Sequence, residues 1–162
     1  SVINGLFNEC LVFEILEKGR DALRNNAKLN GVSDKIKIKE DASEKILLKN
    51  IDQIRDSTIL CDIEGSEYKI FSEKVLEKLY KSDIIIEIHK EFGKGNIVTN
   101  DESELYEKAS KIFNVTIITT QARSLSFPDL NDLSDNDRAL IVSEGRSYAG
   151  IWWHFSPKTK TD

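Results

Sequence analysis

The sequence predicts an α/β fold, a doubly wound and mostly parallel sheet with an antiparallel C-terminal strand. Three observations carry this. Short apolar runs alternate with helical patterns along most of the chain. Some runs, such as Asp83–Ile88 (DIIIEI), are apolar almost throughout, as expected of a strand covered on both faces by helices. The last two runs, residues 139–143 and 151–155, follow one another with no helix between them, so the final strand is expected to turn back.

Residues 9–15 (ECLVFEI) are the first apolar run and read as a buried strand. Residues 17–30 place Ala22, Leu23, Ala27 and Leu29 on a helix. Asn30-Gly31 stops it, because glycine accepts the left-handed conformation past a helix end. Residues 35–39 (KIKIK) alternate with period two and form a short strand with a solvated lysine face. Residues 43–50 can form a helical turn or two, and residues 57–61 the next strand. Residues 71–80 predict a helix with Phe71, Val75, Leu76 and Leu79 on one face. Asp83–Ile88 is a strand, and residues 101–113 are a helix that Asp101 or Ser103 would cap. Residues 115–120 are a strand. Residues 121–137, with Pro128, are a polar loop long enough to serve as a lid. After the two last strands, residues 157–162 are a polar tail, which leaves one domain over residues 1–156.

The 162 residues suffice for one sizeable core. A net charge of -5 weighs against nucleic acid or an anionic membrane as partner, since an acidic surface attracts neither. No apolar stretch approaches the ~20 residues that span a bilayer. Cys10 and Cys61 both sit in apolar runs without metal or redox spacing, which fits buried thiols in a reducing, cytoplasmic setting.

In doubly wound sheets, ligands bind beyond the carboxyl ends of the strands. Those ends are acidic here: Glu14 at the end of the first strand, Glu40-Asp41-Ala42 after the second, Asp62-Ile63-Glu64-Gly65 after the third, and Glu87-Ile88-His89 at the fourth. Glu14 suits either a ribose-binding acid or a solvated strand end. Asp41, beside the small Ala42, can accept from the exocyclic amine of a base or be a plain loop acid. Asp62 and Glu64 are two residues apart, as are Glu87 and His89, so each pair shares a face if the chain stays extended. Such a set can form a polar pocket, hold a metal or supply a general base.

These residues carry a resemblance. Leu11-Val12-Phe13-Glu14, followed by Ala22-Leu23-Arg24-Asn25-Asn26-Ala27-Lys28-Leu29-Asn30-Gly31, resembles the second strand and following helix of class I S-adenosylmethionine-dependent methyltransferases, with their Rossmann-like sheet. Asp62-Ile63-Glu64-Gly65-Ser66-Glu67 and Ile86-Glu87-Ile88-His89 are similar to the D-[IV]-E-G-x-E … E-[IV]-H pattern of FkbM-type enzymes. The resemblance covers about the first half of the chain, to His89. It implies that Glu14 binds the ribose of S-adenosylmethionine, that Asp41 and Ala42 face the adenine, and that Asp62 lies near the methionine part or the methyl being transferred. It implies that Glu64, Glu67, Glu87 and His89 line the acceptor side, with His89 or Asp62 as the base. The implied acceptor is a hydroxyl of a small molecule or sugar, and no metal is assigned.

The resemblance also implies a departure. The family's Gly-rich loop is not in this sequence, and Ser1-Val2-Ile3-Asn4-Gly5-Leu6 looks like the helix that follows it. The first, central strand is then expected to be missing from an N-terminally truncated piece, which by itself would bind S-adenosylmethionine weakly or not at all. Two other readings stand beside methyl transfer: a non-catalytic methyltransferase-like remnant kept for protein interaction, and a metal-dependent hydrolase using Asp62, Glu64, Glu87 and His89. Oligomeric state stays open, a homo-oligomer included. In Trp152-Trp153, adjacent strand residues face opposite sides, so one ring is expected in the core and the other on a second surface.

Overall fold

The computed structural model describes residues 5–89, 100–120, 124, 127–143 and 150–158. They fall into two compact units, Ser1–Asp52 and Gln53–Asp162. Residues 121–123, 125 and 126 of the expected lid, residues 144–149 and residues 159–162 of the polar tail lie outside the described residues.

The first unit begins with β1 (Cys10–Phe13), α1 (Glu17–Leu29), β2 (Ile36–Lys39) and α2 (Glu44–Lys49). β1 and β2 pair in parallel, from Cys10 opposite Ile36 to Phe13 opposite Lys39. A parallel pair needs a crossover, and α1 supplies it. Its inner face carries Ala27, which packs with Val32, Cys10 and Ile36 into the unit's small core. The expected stop is in place. Gly31 has φ +64°, Val32 N donates to Ala27 O at 2.9 Å, and Gly31 N donates to Lys28 O at 3.1 Å. These are the two bonds of a Schellman helix end.

A short α3 (Ile51–Ile54) crosses into the second unit. There follow β3 (Thr58–Cys61), α4 (Glu67–Ile70), α5 (Glu73–Lys78), β4 (Asp83–Ile88), α6 (Asn100–Ile112), β5 (Phe113–Thr119), α7 (Asp135–Ser143) and β6 (Ile151–Pro157). Among the described residues the strand order is β3-β4-β6-β5. β3 and β4 are parallel, whereas β6 runs antiparallel to both β4 and β5. The C-terminal strand is therefore antiparallel, as expected, but it is inserted inside the sheet and β5 takes the edge. Ile84 faces Phe155 and Ile86 faces Trp153 across β4 and β6. This side carries the core: Val75, Ile84, Ile86, Ala109 and Phe155 are all fully buried.

The two tryptophans do point opposite ways. Trp153 is buried and meets Tyr106 edge-on, with ring centroids 6.0 Å apart. Trp152 pairs with Glu87 on the other face.

Two elements differ from expectation. The helix predicted over residues 71–80 is shorter, α5 over Glu73–Lys78, and a separate turn of helix, α4, precedes it, with Phe71 in the break between them and 2% exposed. Ser72 opens the second by accepting from Val75 N, which is an N-cap the apolar periodicity hides. Residues 139–143, predicted as a strand, belong to α7. Ser134 decides this. Its carbonyl accepts from Arg138 N, its hydroxyl accepts from Asp137 N, and the same hydroxyl donates to the Asp137 carboxylate. That N-terminal cap outweighs a run of only four apolar residues.

Candidate functional site

β3 ends at Cys61, and the chain turns at once. Glu64 has φ +56° and Gly65 φ +97°, two successive residues in the left-handed region. Glycine is at home there, whereas a side chain costs roughly 1–2 kcal/mol. The turn delivers Glu67 to the first position of α4, where it is fully buried. One oxygen of its carboxylate, Oε1, lies 2.6 Å from His89 Nδ1 and accepts from Gly65 N at 3.1 Å. The other, Oε2, is buried without a hydrogen-bond partner among the described residues.

The register of β3 and β4 brings the rest. Cys61 pairs with Ile86, so the next positions, Asp62 and Glu87, come to one level on the opposite face of the sheet from Cys61. His89 is two residues beyond Glu87 and returns to that face. One ligand atom each from Asp62, Glu87 and His89 lie within 4.8 Å of one another. His89 Nε2 is 3.5 Å from both Asp62 Oδ1 and Glu64 Oε2. Glu87 is 3% exposed, whereas the Asp62 side chain is about half exposed and Glu64 mostly exposed. The set therefore runs from buried to open.

A carboxylate can only accept, so the bond to Glu67 puts a proton on His89 Nδ1. Nε2 is then the ring atom that faces Asp62 and Glu64. Burial disfavours a charged imidazole, but the Glu67 hydrogen bond and the charges of Glu67, Glu64 and Asp62 outweigh it and raise the His89 pKa. Two neighbours record the same negative field. The Cys61 thiol is pushed up to about 12 by burial and then by Glu67 and Asp62. Tyr68 is raised by burial, then by Glu102, Glu67 and Asp101. Its hydroxyl stands 3.5 Å from the His89 carbonyl. Both cysteines are free thiols, and burial raises Cys10 as well.

Of the residues singled out in the sequence, Asp62, Glu64, Glu67, Glu87 and His89 thus come together. Glu67 stands behind the imidazole and is sealed from solvent, so it contacts His89 rather than an open acceptor side. Glu14, Asp41 and Ala42 belong to the first unit, at the carboxyl ends of the parallel β1 and β2. Glu14 Oε1 accepts from Leu16 N at 2.7 Å, beneath the first turn of α1. Gly19 makes room for it, because a Cβ there would stand 2.6 Å from the Glu14 carboxyl carbon. Asp41 Oδ1 accepts from Ser43 N at 2.8 Å, and hydrogen bonding from the Ser43 side chain, then from this amide, lowers its pKa.

Arg20 was not singled out by the sequence pattern, although it fixes the end of β1. It is 9% exposed and donates from Nη1 to the carbonyls of Glu14 and Ile15 at 2.8 and 2.7 Å, with Glu17 on its other nitrogen. A lone arginine on a charged helix gives no sign of this. A groove of about 460 Å³, lined by Glu102, Tyr106, Ile117, Ile151 and Trp153, opens on the α6 side of the sheet, away from Glu87. No described helix is long and apolar enough to cross a membrane.

No family model and no curated protein matches the chain. Solved structures resemble it. An uncharacterised protein from Listeria monocytogenes serotype 4b superposes with a TM-score of 0.55 at 14% identity, over 98% of this chain and 55% of that one. This chain thus spans about half the length of that structure. A domain from Corynebacterium diphtheriae, named as a precorrin-6Y C5,15-methyltransferase targeted domain, gives a TM-score of 0.48 at 14% identity, over 93% of this chain and 75% of that one. The first likeness shows a shared α/β fold. The second is too distant to support an argument.

Proposed function

We propose that this chain is part of an S-adenosylmethionine-dependent methyltransferase of FkbM-like type that acts on a hydroxyl of a small molecule or sugar. The observation that carries the reading is the convergence of Asp62, Glu64, Glu87 and His89 at the carboxyl ends of β3 and β4, the segments that hold the D-I-E-G-x-E and E-I-H motifs. Methyl transfer from a sulfonium asks little of acid catalysis, since the leaving group is already cationic. It asks for an in-line approach and, for a hydroxyl acceptor, for a base. Nε2 of a His89 held through Nδ1 suits that base, and Asp62 stands beside it. Glu14 is assigned to the ribose, with Asp41 and Ala42 at the adenine.

The cofactor's methionine end would be held by a Gly-rich loop and central strand supplied by a longer natural chain. Intact mass and N-terminal sequencing of the natural protein test that; a native start at Ser1 would sink it. The functional test is calorimetry of the natural protein with S-adenosylhomocysteine, followed by transfer of a labelled methyl group to a panel of hydroxylated acceptors. Micromolar binding weakened at least ten-fold by Glu14→Ala is the expected result. Binding that ignores Glu14, or no transfer to any hydroxyl, refutes the reading. One observation favours a non-catalytic interaction domain instead: Glu14 and Asp41 each engage a local backbone amide. Absence of cofactor binding by the natural protein would support it.

A further inference from the structure

The distances around His89 Nε2 are informative in themselves. At 3.5 Å from both Asp62 Oδ1 and Glu64 Oε2, the ring nitrogen is too far for a good hydrogen bond to either. In the tautomer set by Glu67, Nε2 of a neutral ring presents a lone pair toward these carboxylates, which is repulsive unless something positive lies between. Ligands around a six-coordinate cation with bonds of about 2.1 Å are about 3 Å apart when adjacent and about 4.2 Å apart when opposite. His89 Nε2 and Asp62 Oδ1, 3.5 Å apart, fall inside that range, and the ligand atoms of Asp62, Glu87 and His89 all lie within 4.8 Å of one another.

The outer shell is also present. A metal-binding histidine almost always donates its second ring N–H to a carboxylate or carbonyl, which fixes ring and tautomer. Glu67 does this at 2.6 Å from a position with no exposure. Its second oxygen, Oε2, is buried with no hydrogen-bond partner among the described residues. A carboxylate in that state needs positive charge nearby. Asp62, Glu64, Glu67 and Glu87 bring four carboxylates around one imidazole.

We propose that Asp62, Glu87 and His89 form a divalent-cation site, with Glu67 as the residue that positions His89 so that Nε2 faces the ion. Two carboxylates and one imidazole suit Mn²⁺ or Fe²⁺, and Mg²⁺ more weakly because of the nitrogen ligand. Asp62 is about half exposed, so the ion keeps open positions on the solvent side for an oxygen ligand. An ion held there occupies the Nε2 lone pair, so ion binding and His89 as a general base are alternatives; the inference rests on the cluster alone and not on the methyltransferase reading, and its test contains no methyl donor.

The test is titration of the purified chain with Mn²⁺, read by electron paramagnetic resonance and calorimetry. One Mn²⁺ per chain is expected, with nitrogen modulation in the electron spin echo of the bound ion that reports the imidazole. Asp62→Asn and Glu87→Gln, nearly isosteric, are each expected to weaken binding at least ten-fold. Glu67→Gln should weaken it 10- to 100-fold and alter the nitrogen coupling. Asp34→Asn, at an exposed position in the first unit, should leave binding unchanged. Circular dichroism melts check that each variant is folded. Nitrogen modulation in the unmutated protein needs no variant at all. No bound Mn²⁺ at millimolar metal, binding without nitrogen modulation, or binding that survives both Asp62→Asn and Glu87→Gln overturns the proposal.

Discussion

Replacing Glu67 by methionine separates what this residue does for the fold from what it does for His89. Glu67 is fully buried, so its removal is felt entirely inside the protein. The substitution deletes a hydrogen bond to His89 at 2.6 Å and one from Gly65 N at 3.1 Å. A bond to a charged group contributes about 1.5–3 kcal/mol. Against that, methionine removes Oε2, which has no partner, and an unsatisfied buried polar atom costs about 1–3 kcal/mol. Methionine also has nearly the same length and buries an apolar stem, worth about 1.5–3 kcal/mol. Gly65 is exposed, so its amide finds water. The opposing effects nearly cancel, and Glu67→Met should fall within about 1 kcal/mol of wild type in urea unfolding. Glu67→Ala has no compensating burial and leaves a cavity, so about 2–4 kcal/mol is expected. Nitrogen NMR of the imidazole should show His89 leaving the Nδ1–H tautomer in both variants. A Glu67→Met variant as unstable as Glu67→Ala would refute the reasoning, since the carboxylate would then be needed for folding.

Three further outcomes follow from the same geometry. Glu64→Gly removes a side chain at φ +56°, which relieves roughly 1–2 kcal/mol of strain against roughly 0.5–1 kcal/mol of added chain entropy. Stability in urea should be unchanged or up to about 1 kcal/mol higher, and a loss beyond 1 kcal/mol would show that the Glu64 carboxylate stabilises the turn. Phe155 is fully buried and its ring lies 5.9 Å from Phe113 in a stacked arrangement, so Phe155→Ala should cost about 3–5 kcal/mol; a loss under about 1 kcal/mol would mean that β6 is not packed as described. Asp41 has a lowered pKa from its Ser43 bonds, so its contribution is present above 3.8 and lost as pH falls through the lower folded value. The Ser43 amide resonance should titrate with a midpoint below 3.8, and a midpoint at or above it contradicts the Asp41–Ser43 contact.

Much of this architecture is legible in the sequence wherever one local signal is unopposed. Asp83–Ile88 has four isoleucines and two acids, Asp83 at its start and Glu87 near its end, and the strand has those bounds. Asn30-Gly31 stops α1 because only one residue type relaxes at φ +64°. The pairs Asp62/Glu64 and Glu87/His89 were visible because strands deliver polar residues to a common edge. What stayed hidden depends on competing or distant signals. Residues 139–142 look like a strand by composition, yet the cap at Ser134 makes a helix and leaves Leu140 and Ile141 exposed. Glu67 looks like one more rim acid. Its burial follows from the turn at Glu64-Gly65 and from a partner 22 residues away, neither of which a local pattern encodes.

The cluster gathers three features that folding alone disfavours: a non-glycine residue in the left-handed region, a buried carboxylate with an unsatisfied oxygen, and several acids around one imidazole. None belongs to the hydrophobic core, which is built separately around Val75, Ile84, Ala109 and Phe155. All three meet at the imidazole ring of His89. The Glu64-Gly65 turn brings Glu64 to within 3.5 Å of Nε2 and sets up the first turn of α4. Glu67 holds the far side of the ring, and β4 puts Glu87 beside it. Isolated faults in a fold have no reason to converge, because each can be relieved by a single substitution. Faults that share one target are what a site leaves behind when it sets the position of a group against the preference of the chain. That is why Nε2 of His89, rather than any one of the acids, is the centre from which the chemistry of this protein is best sought.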